Sequence, residues 1–159
     1  MSIREELHKL LIPKELNIFK ATCIKGIFIL QEDEPDIKGP VNIVVFTEVI
    51  DYKLVDRIDM ESNEGTVSKG VVVLVKLQIY EIIEYEMDLN EKKTYSTINS
   101  KINYIYLIID NEINGVDTKV LIKKNQLIID SYVEVVESVM LDIRAFYRYI
   151  SIIIYLKNI

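Results

Sequence analysis

Between residues 71 and 80 the chain carries two rows of different character. Val71, Val73, Val75, Leu77 and Ile79 share one face, and Val72, Leu74, Lys76, Gln78 and Tyr80 the other. The first row is wholly apolar and the second turns polar midway, which predicts a strand buried on one side and partly covered on the other. The closing run repeats this grammar. Phe146, Arg148, Ile150, Ile152, Ile154 and Leu156 form a core-like row except for Arg148, while Ala145, Tyr147, Tyr149, Ser151, Ile153 and Tyr155 form an amphipathic, partly wet one. Further β-branched and aromatic runs, "KATCIKGIFIL", "VNIVVFTEVIDYKLVDRIDM" (a strand with room for a bend), "INYIYLIID" and "QLIIDSYVEVVESVML", read as strands. The breakers between them are "EDEPDIKGP", "ESNEGTVSKG", "DNEING" and the bend "LDIR", and the sheet is expected to carry on through "VDTKVLIKK".

Helical spacing occurs at the start, where Ile3, Leu7, Leu10 and Leu11 follow Ser2 as a possible N-cap and precede Pro13 as a stop. That predicts one short amphipathic helix, packed on its own domain in preference to another chain or a membrane surface. About six to eight strands without long helical patterns between them predict a mainly β fold, an antiparallel β-sandwich or barrel-like domain with a short N-terminal helix. Residues 1–19 are the helix and lead-in, and residues 20–159 a single β domain.

Composition narrows the partners. At 159 residues the chain is long enough to bury roughly 68–70% of its unfolded surface, so it needs no staple. A net charge of -6 with scattered lysines builds no basic stripe, so no nucleic-acid partner is expected. Only eight uncharged residues separate Arg148 from Lys157, against about 20 for a membrane-spanning helix, so no transmembrane segment is expected. "MSIREELHKLL" lacks a continuous apolar h-region, and the protein is expected to fold where it is made.

One cysteine and one histidine remove disulfide frameworks and multi-imidazole sites. Cys23 reads first as a small buried or half-buried residue, with an intermolecular disulfide or reactive thiol as the alternative. His8 reads as an ordinary solvent-edge residue.

Few motifs point to chemistry. "DNEINGVDTKVL" places Asp110, Glu112, Asn114 and Gly115 like the first half of an EF-hand loop, but Leu121 stands where the bidentate carboxylate belongs, so it reads as a turn. Glu32, Asp33, Glu34 and Asp36 read as a solvated loop around Pro35. Glu81 with Glu84, and Glu134 with Glu137, fall on opposite faces of a strand and form no acid–base dyad without a bulge. With no phosphate loop, nucleophile elbow or ligand spacing, no enzyme, metal or cofactor is expected. The ten tyrosines, with no tryptophan, allow two readings: solvent-side cover of a sheet, or an interface, with Tyr104, Tyr106, Tyr147, Tyr149 and Tyr155 as the candidate contacts.

Four blocks stand in order: "EDEPDI", "VNIVVFTEVID", "EGTVSKGVVVLVKLQIYEIIEY" and "VEVVESVMLDIRAFYRYISIIIYL". Together they resemble the SPOCS domain of spore-coat and sporulation proteins from spore-forming Firmicutes. Pro35, Asp36 and Ile37 match the opening of that domain, Glu64, Gly65 and Gly70 its turn, Tyr85 the end of its long strand, and Leu141, Asp142 and Arg144 its closing hairpin. The chain departs from the pattern in lacking a glycine within "VVVLVKLQIY" and the Val-His and Pro-Phe pairs near "KKTYSTINSKINY". The resemblance implies a non-enzymatic structural protein made in the mother-cell cytoplasm and placed in the spore coat or exosporium. It would act as a homo-oligomer or by binding other spore-coat proteins. The matched residues would be framework, with Arg144 pairing with Asp142 or capping the turn. The alternative function is a carbohydrate- or small-ligand-binding β-sandwich using tyrosines as stacking platforms.

Overall fold

The computed structural model describes residues 18–55, 70–88 and 90–157; the helix expected over residues 2–12, His8, Glu64 and Gly65 lie outside these. Some 71% of the structure is strand, all of it in antiparallel pairs. The long strands are β1 (Phe19–Ile29), β2 (Asn42–Leu54), β3 (Val71–Asp88) and β4 (Lys93–Ile109). After the short β5 (Glu112–Ile113), β6 (Val116–Asp117) and α1 (Thr118–Lys123) come β7 (Ile129–Asp142) and β8 (Ala145–Leu156). Two three-stranded sheets result, ordered β1-β8-β7 and β2-β3-β4, beside a small β5-β6 hairpin.

The alternation at residues 71–80 explains where the core sits. Val73, Val75, Leu77 and Ile79 are fully buried and join Ile105, Leu107 and Ile109 of β4 and Ile150, Ile152 and Ile154 of β8 in one cluster. At roughly 1.5–3 kcal/mol per fully buried aliphatic side chain, this cluster dominates stability. A second cluster gathers Leu30, Ile37, Ile83, Tyr85 and Phe146 beneath the loop after β1. Where β2 runs beside β7, Thr47 Oγ1 and Ser131 Oγ lie 2.8 Å apart, and the Tyr52 hydroxyl donates to Leu127 O at 2.9 Å. The bend allowed for in β2 is a bulge between Val49 and Asp51.

Arg148, the exception in the core-like row of β8, is matched from the other sheet. Its Nε and Nη2 donate to Glu81 Oε2 and Oε1 at 2.7 and 3.1 Å, with the guanidinium carbon 5.4 Å over the Phe28 ring. Phe28 in turn stacks on Phe146. A buried charge needs this degree of satisfaction, because an unpaired one costs several kcal/mol to desolvate.

Three expectations are corrected. The segment "VDTKVLIKK" does not continue the sheet: it forms β6 and then α1. Asp117 caps the helix by accepting the Lys119 N–H at 2.9 Å, Thr118 Oγ1 donates to Asp110 O, and Asn125 leaves it at φ 54. The partly wet row of β8 is dry in its second half, where Ser151, Ile153 and Tyr155 are buried. Side chains of β7 reach over it: Glu134 accepts the Ser151 hydroxyl at 2.8 Å, and the Tyr132 ring lies 5.7 Å from that of Tyr155. Cys23 is exposed, because inward-facing Ile24 sends its neighbour to the opposite side of edge strand β1. Among the described residues, no helix is long and apolar enough to cross a membrane.

Candidate functional site

Two regions collect the residues singled out from sequence. The first is the loop between β1 and β2, onto which the β7–β8 hairpin closes. "LDIR" is the turn itself, with Asp142 opposite Ala145, Leu141 an exposed residue at a bulge, and Asp142 Oδ1 accepting the Arg144 N–H at 2.6 Å. Asp142 therefore shapes the turn and leaves the guanidinium free to reach the loop. Arg144 Nη1 donates to Glu34 O at 2.6 Å and to Asp36 Oδ1 at 3.0 Å, and Nη2 to Gln31 O at 2.6 Å. Backbone bonds seal the junction, Leu30 N–H to Arg144 O at 2.9 Å and Ile37 N–H to Ile143 O at 2.8 Å.

Tyr85 completes this clamp from β3. Its hydroxyl donates to Pro35 O at 2.6 Å, and burial, reinforced by the Glu34 carboxylate, pushes its pKa up to about 12. The blocks holding Pro35, Asp36 and Ile37, Tyr85, and Asp142 and Arg144 are thus one structural unit, with Ile37 buried in the second core cluster. The acidic loop is not solvated throughout, which corrects the expectation for it. Glu32 and Asp33 are exposed, but Glu34 is buried, with Oε1 accepting the Gln31 N–H at 3.0 Å. The loop's backbone carbonyls are consumed by Arg144 and Tyr85, so it is fixed as framework. Gly70 belongs to framework too: a Cβ there would meet Ile109 O at 2.7 Å.

The second region is the outer face of the β2-β3-β4 sheet. On β4 the outward row is Thr94, Ser96, Ile98, Ser100, Ile102, Tyr104, Tyr106 and Ile108, without a charged side chain. Phe46 lies opposite Tyr80, Val44 opposite Ile82, Tyr80 opposite Ser100 and Ile82 opposite Ile98, so the apolar surface continues across all three strands. Val44, Phe46, Tyr80, Ile98, Ile102, Tyr104, Tyr106 and Ile108 leave between 39% and 67% of their surface exposed.

The candidate tyrosines are therefore divided. Tyr104 and Tyr106 share this exposed face. Tyr147 and Tyr149 are half-buried on the outward row of β8, and Tyr155 is buried at its end, where burial and the Asp130 carboxylate raise its pKa. As an accessible contact, Tyr155 is corrected: β7 side chains cover it. Sequence reasoning missed Phe46 and Tyr80, whose signal was their place in apolar runs on rows that also carry charge.

The paired acids have separate partners. Glu81 is held by Arg148 and Glu134 by Ser151, while Glu137 is exposed. Asn114 and Gly115 take positive φ, 51° and 79°, in a turn between β5 and β6. Among the described residues, no group of three or more His, Cys, Asp or Glu is placed to hold a metal ion. This arrangement offers a fixed loop and an exposed sheet face with apolar side chains on all three strands. Compared with known protein families, curated proteins and solved structures, the chain gives no match.

Proposed function

We propose that the chain is a non-enzymatic structural protein of the endospore coat or exosporium that works by associating with itself or with other coat proteins. The exposed, apolar, tyrosine-bearing face of the β2-β3-β4 sheet carries the reading, because large exposed apolar patches mark sites where proteins meet a partner. The spore assignment rests on the resemblance to the SPOCS domain. The framework role of the matched residues is supported by the loop at residues 31–36, which Arg144 and Tyr85 hold from two distant blocks of the chain. We further read the two sheets as the layers of a β-sandwich, since side chains of both form one core. The exposed thiol of Cys23 is a candidate cross-link between copies.

In a sporulating host, a fluorescent fusion of the full chain is expected to encircle the forespore and to leave with the coat fraction. An even distribution through the mother cell, with none in the coat, overturns the reading. For the purified chain, mass by light scattering is expected to climb with concentration, and a fall on adding reductant would assign part of the assembly to Cys23. Retention on spore glycans with no change in mass would favour the sugar-binding alternative.

A further inference from the structure

The amount of exposed surface on the β2-β3-β4 face and the placement of its charges together indicate what covers it. Its four aromatic side chains, about half exposed and roughly 150–250 Å² each when whole, present on the order of 300–500 Å², to which the half-exposed Val44, Ile98, Ile102 and Ile108 add. Monomers rarely leave a patch above a few hundred Å² in water, and a stable interface takes about 800 Å² from each partner. With the polar residues at its margin, the face supplies a large part of one such interface.

Charge placement selects the occupant. The outward row of β3 reads Lys76, Gln78, Tyr80, Ile82, Glu84, with a cation and an acid at equal distances on either side of Tyr80. Among the described residues, no ion pair engages either of them. Consider two copies stacked face to face about a two-fold axis that crosses the strands at Tyr80. Their β3 strands then run antiparallel, and Lys76 of each copy lies over Glu84 of the other. Ser100 is the neighbour of Tyr80 on β4, so the same axis sets Ile98 over Ile102, and Phe46 is its neighbour on β2, where the axis sets Glu48 over Val44 at the margin of the contact. Stacked sheets cross at about 30°, an offset within reach of lysine and glutamate side chains. We infer that this face is the interface of a two-fold homodimer, built on an apolar centre and closed by two Lys76–Glu84 pairs. A surface that complements itself under a two-fold rotation is what an isologous dimer requires.

This inference rests on the self-association reading and narrows it to one surface, with Tyr104 and Tyr106 inside the contact and Tyr147 and Tyr149 outside it. The test is light scattering on the full chain over a micromolar concentration series, with thermal melts followed by circular dichroism to show that each variant is folded. Wild type is expected to pass from monomer to dimer. Ile98→Lys should abolish the dimer, K76E and E84K should each weaken it roughly 10-fold, and K76E/E84K should restore most of the loss. A dimer that survives Ile98→Lys overturns this face and leaves self-association standing. Failure of the double exchange to rescue overturns the two-fold arrangement. A wild-type monomer at every concentration overturns the dimer, while the forespore fusion judges the coat assignment separately.

Discussion

Arg144 and Arg148 sit on the same hairpin, and each reaches an acid far back in the chain, Asp36 and Glu81 respectively. The surroundings make them different devices. Arg148 and Glu81 retain 12% and 2% of their side-chain exposure, whereas Arg144 and Asp36 retain 33% and 40%. Water screens the outer pair, so its Coulomb term is worth little, and most of what Arg144 does goes through the carbonyls of Gln31 and Glu34. The inner pair is unscreened and has been desolvated at a cost that its own attraction must offset. One arginine joins two sheets by charge and the other shapes a loop by geometry.

The largest expected effect comes from breaking the inner pair on one side. Arg148→Met should destabilise the fold by about 3–5 kcal/mol, because it strands the Glu81 carboxylate in the core. Chemical denaturation measures this directly. Glu81→Leu combined with Arg148→Met should return most of that loss, since a buried pair replaced by apolar groups of similar volume is often neutral. If the double variant is as unstable as the single, the pair contributes net stability and its attraction outweighs the cost of desolvating it.

Tyr85 offers an intermediate effect on the clamp side. Tyr85→Phe removes the bond to Pro35 O and should cost about 1–3 kcal/mol, the penalty for leaving a half-buried carbonyl without its partner. The same residue gives a pH signature. Its pKa rises from 10.0 to about 12 on folding, so the folded state holds a proton that the unfolded state releases sooner. The stability linked to that proton is complete below pH 10 and is lost as the pH climbs through 12. Tyr52, Tyr132 and Tyr155 shift in the same direction, so the informative quantity is the difference between wild type and Tyr85→Phe. That difference should shrink above pH 10, as read from melting temperatures at several pH values.

Sequence made part of this contrast visible and hid the rest for a physical reason. Period-two alternation assigns each strand residue to a face, which is why the rows of β3 and the outward position of Tyr104 and Tyr106 were legible. Alternation does not tell which face receives a second layer. The sequence of β8 alone leaves Tyr155 and Ser151 partly wet, because nothing local announces that Tyr132 and Glu134 lie across them. Arg148 stood out as a polar break in an apolar row, but its acid is set by the register of a different sheet. The "LDIR" turn could be placed because turn chemistry is local; the destination of its guanidinium is not local, and the Asp142 partnership foreseen for it involves only the backbone N–H. The helix α1 had a local signal in Asp117 and Asn125, but β-branched Thr118, Val120 and Ile122 obscured it.

The smallest effect is the one that separates the two arginines most cleanly. Asp36→Asn keeps an oxygen within reach of Arg144 and removes only a screened charge, so it should change stability by less than about 1 kcal/mol. Glu81→Gln makes the same chemical change in the core and should cost several times more, because a buried guanidinium loses its counter-charge. Arg144→Lys should fall between them, at about 1–2 kcal/mol, since one ammonium cannot replace a planar fork that reaches two carbonyls and a carboxylate. Hydrogen exchange separates these cases further. Arg144→Lys should speed exchange at the Leu30 and Ile37 amides, which bond to the hairpin, and leave those of β3 and β8 unchanged. Slow exchange persisting at Leu30 and Ile37 would show that the loop holds its shape without the arginine. In that case the clamp consists of Tyr85 and the backbone bonds, and Arg144 is an exposed cation resting on a loop already formed.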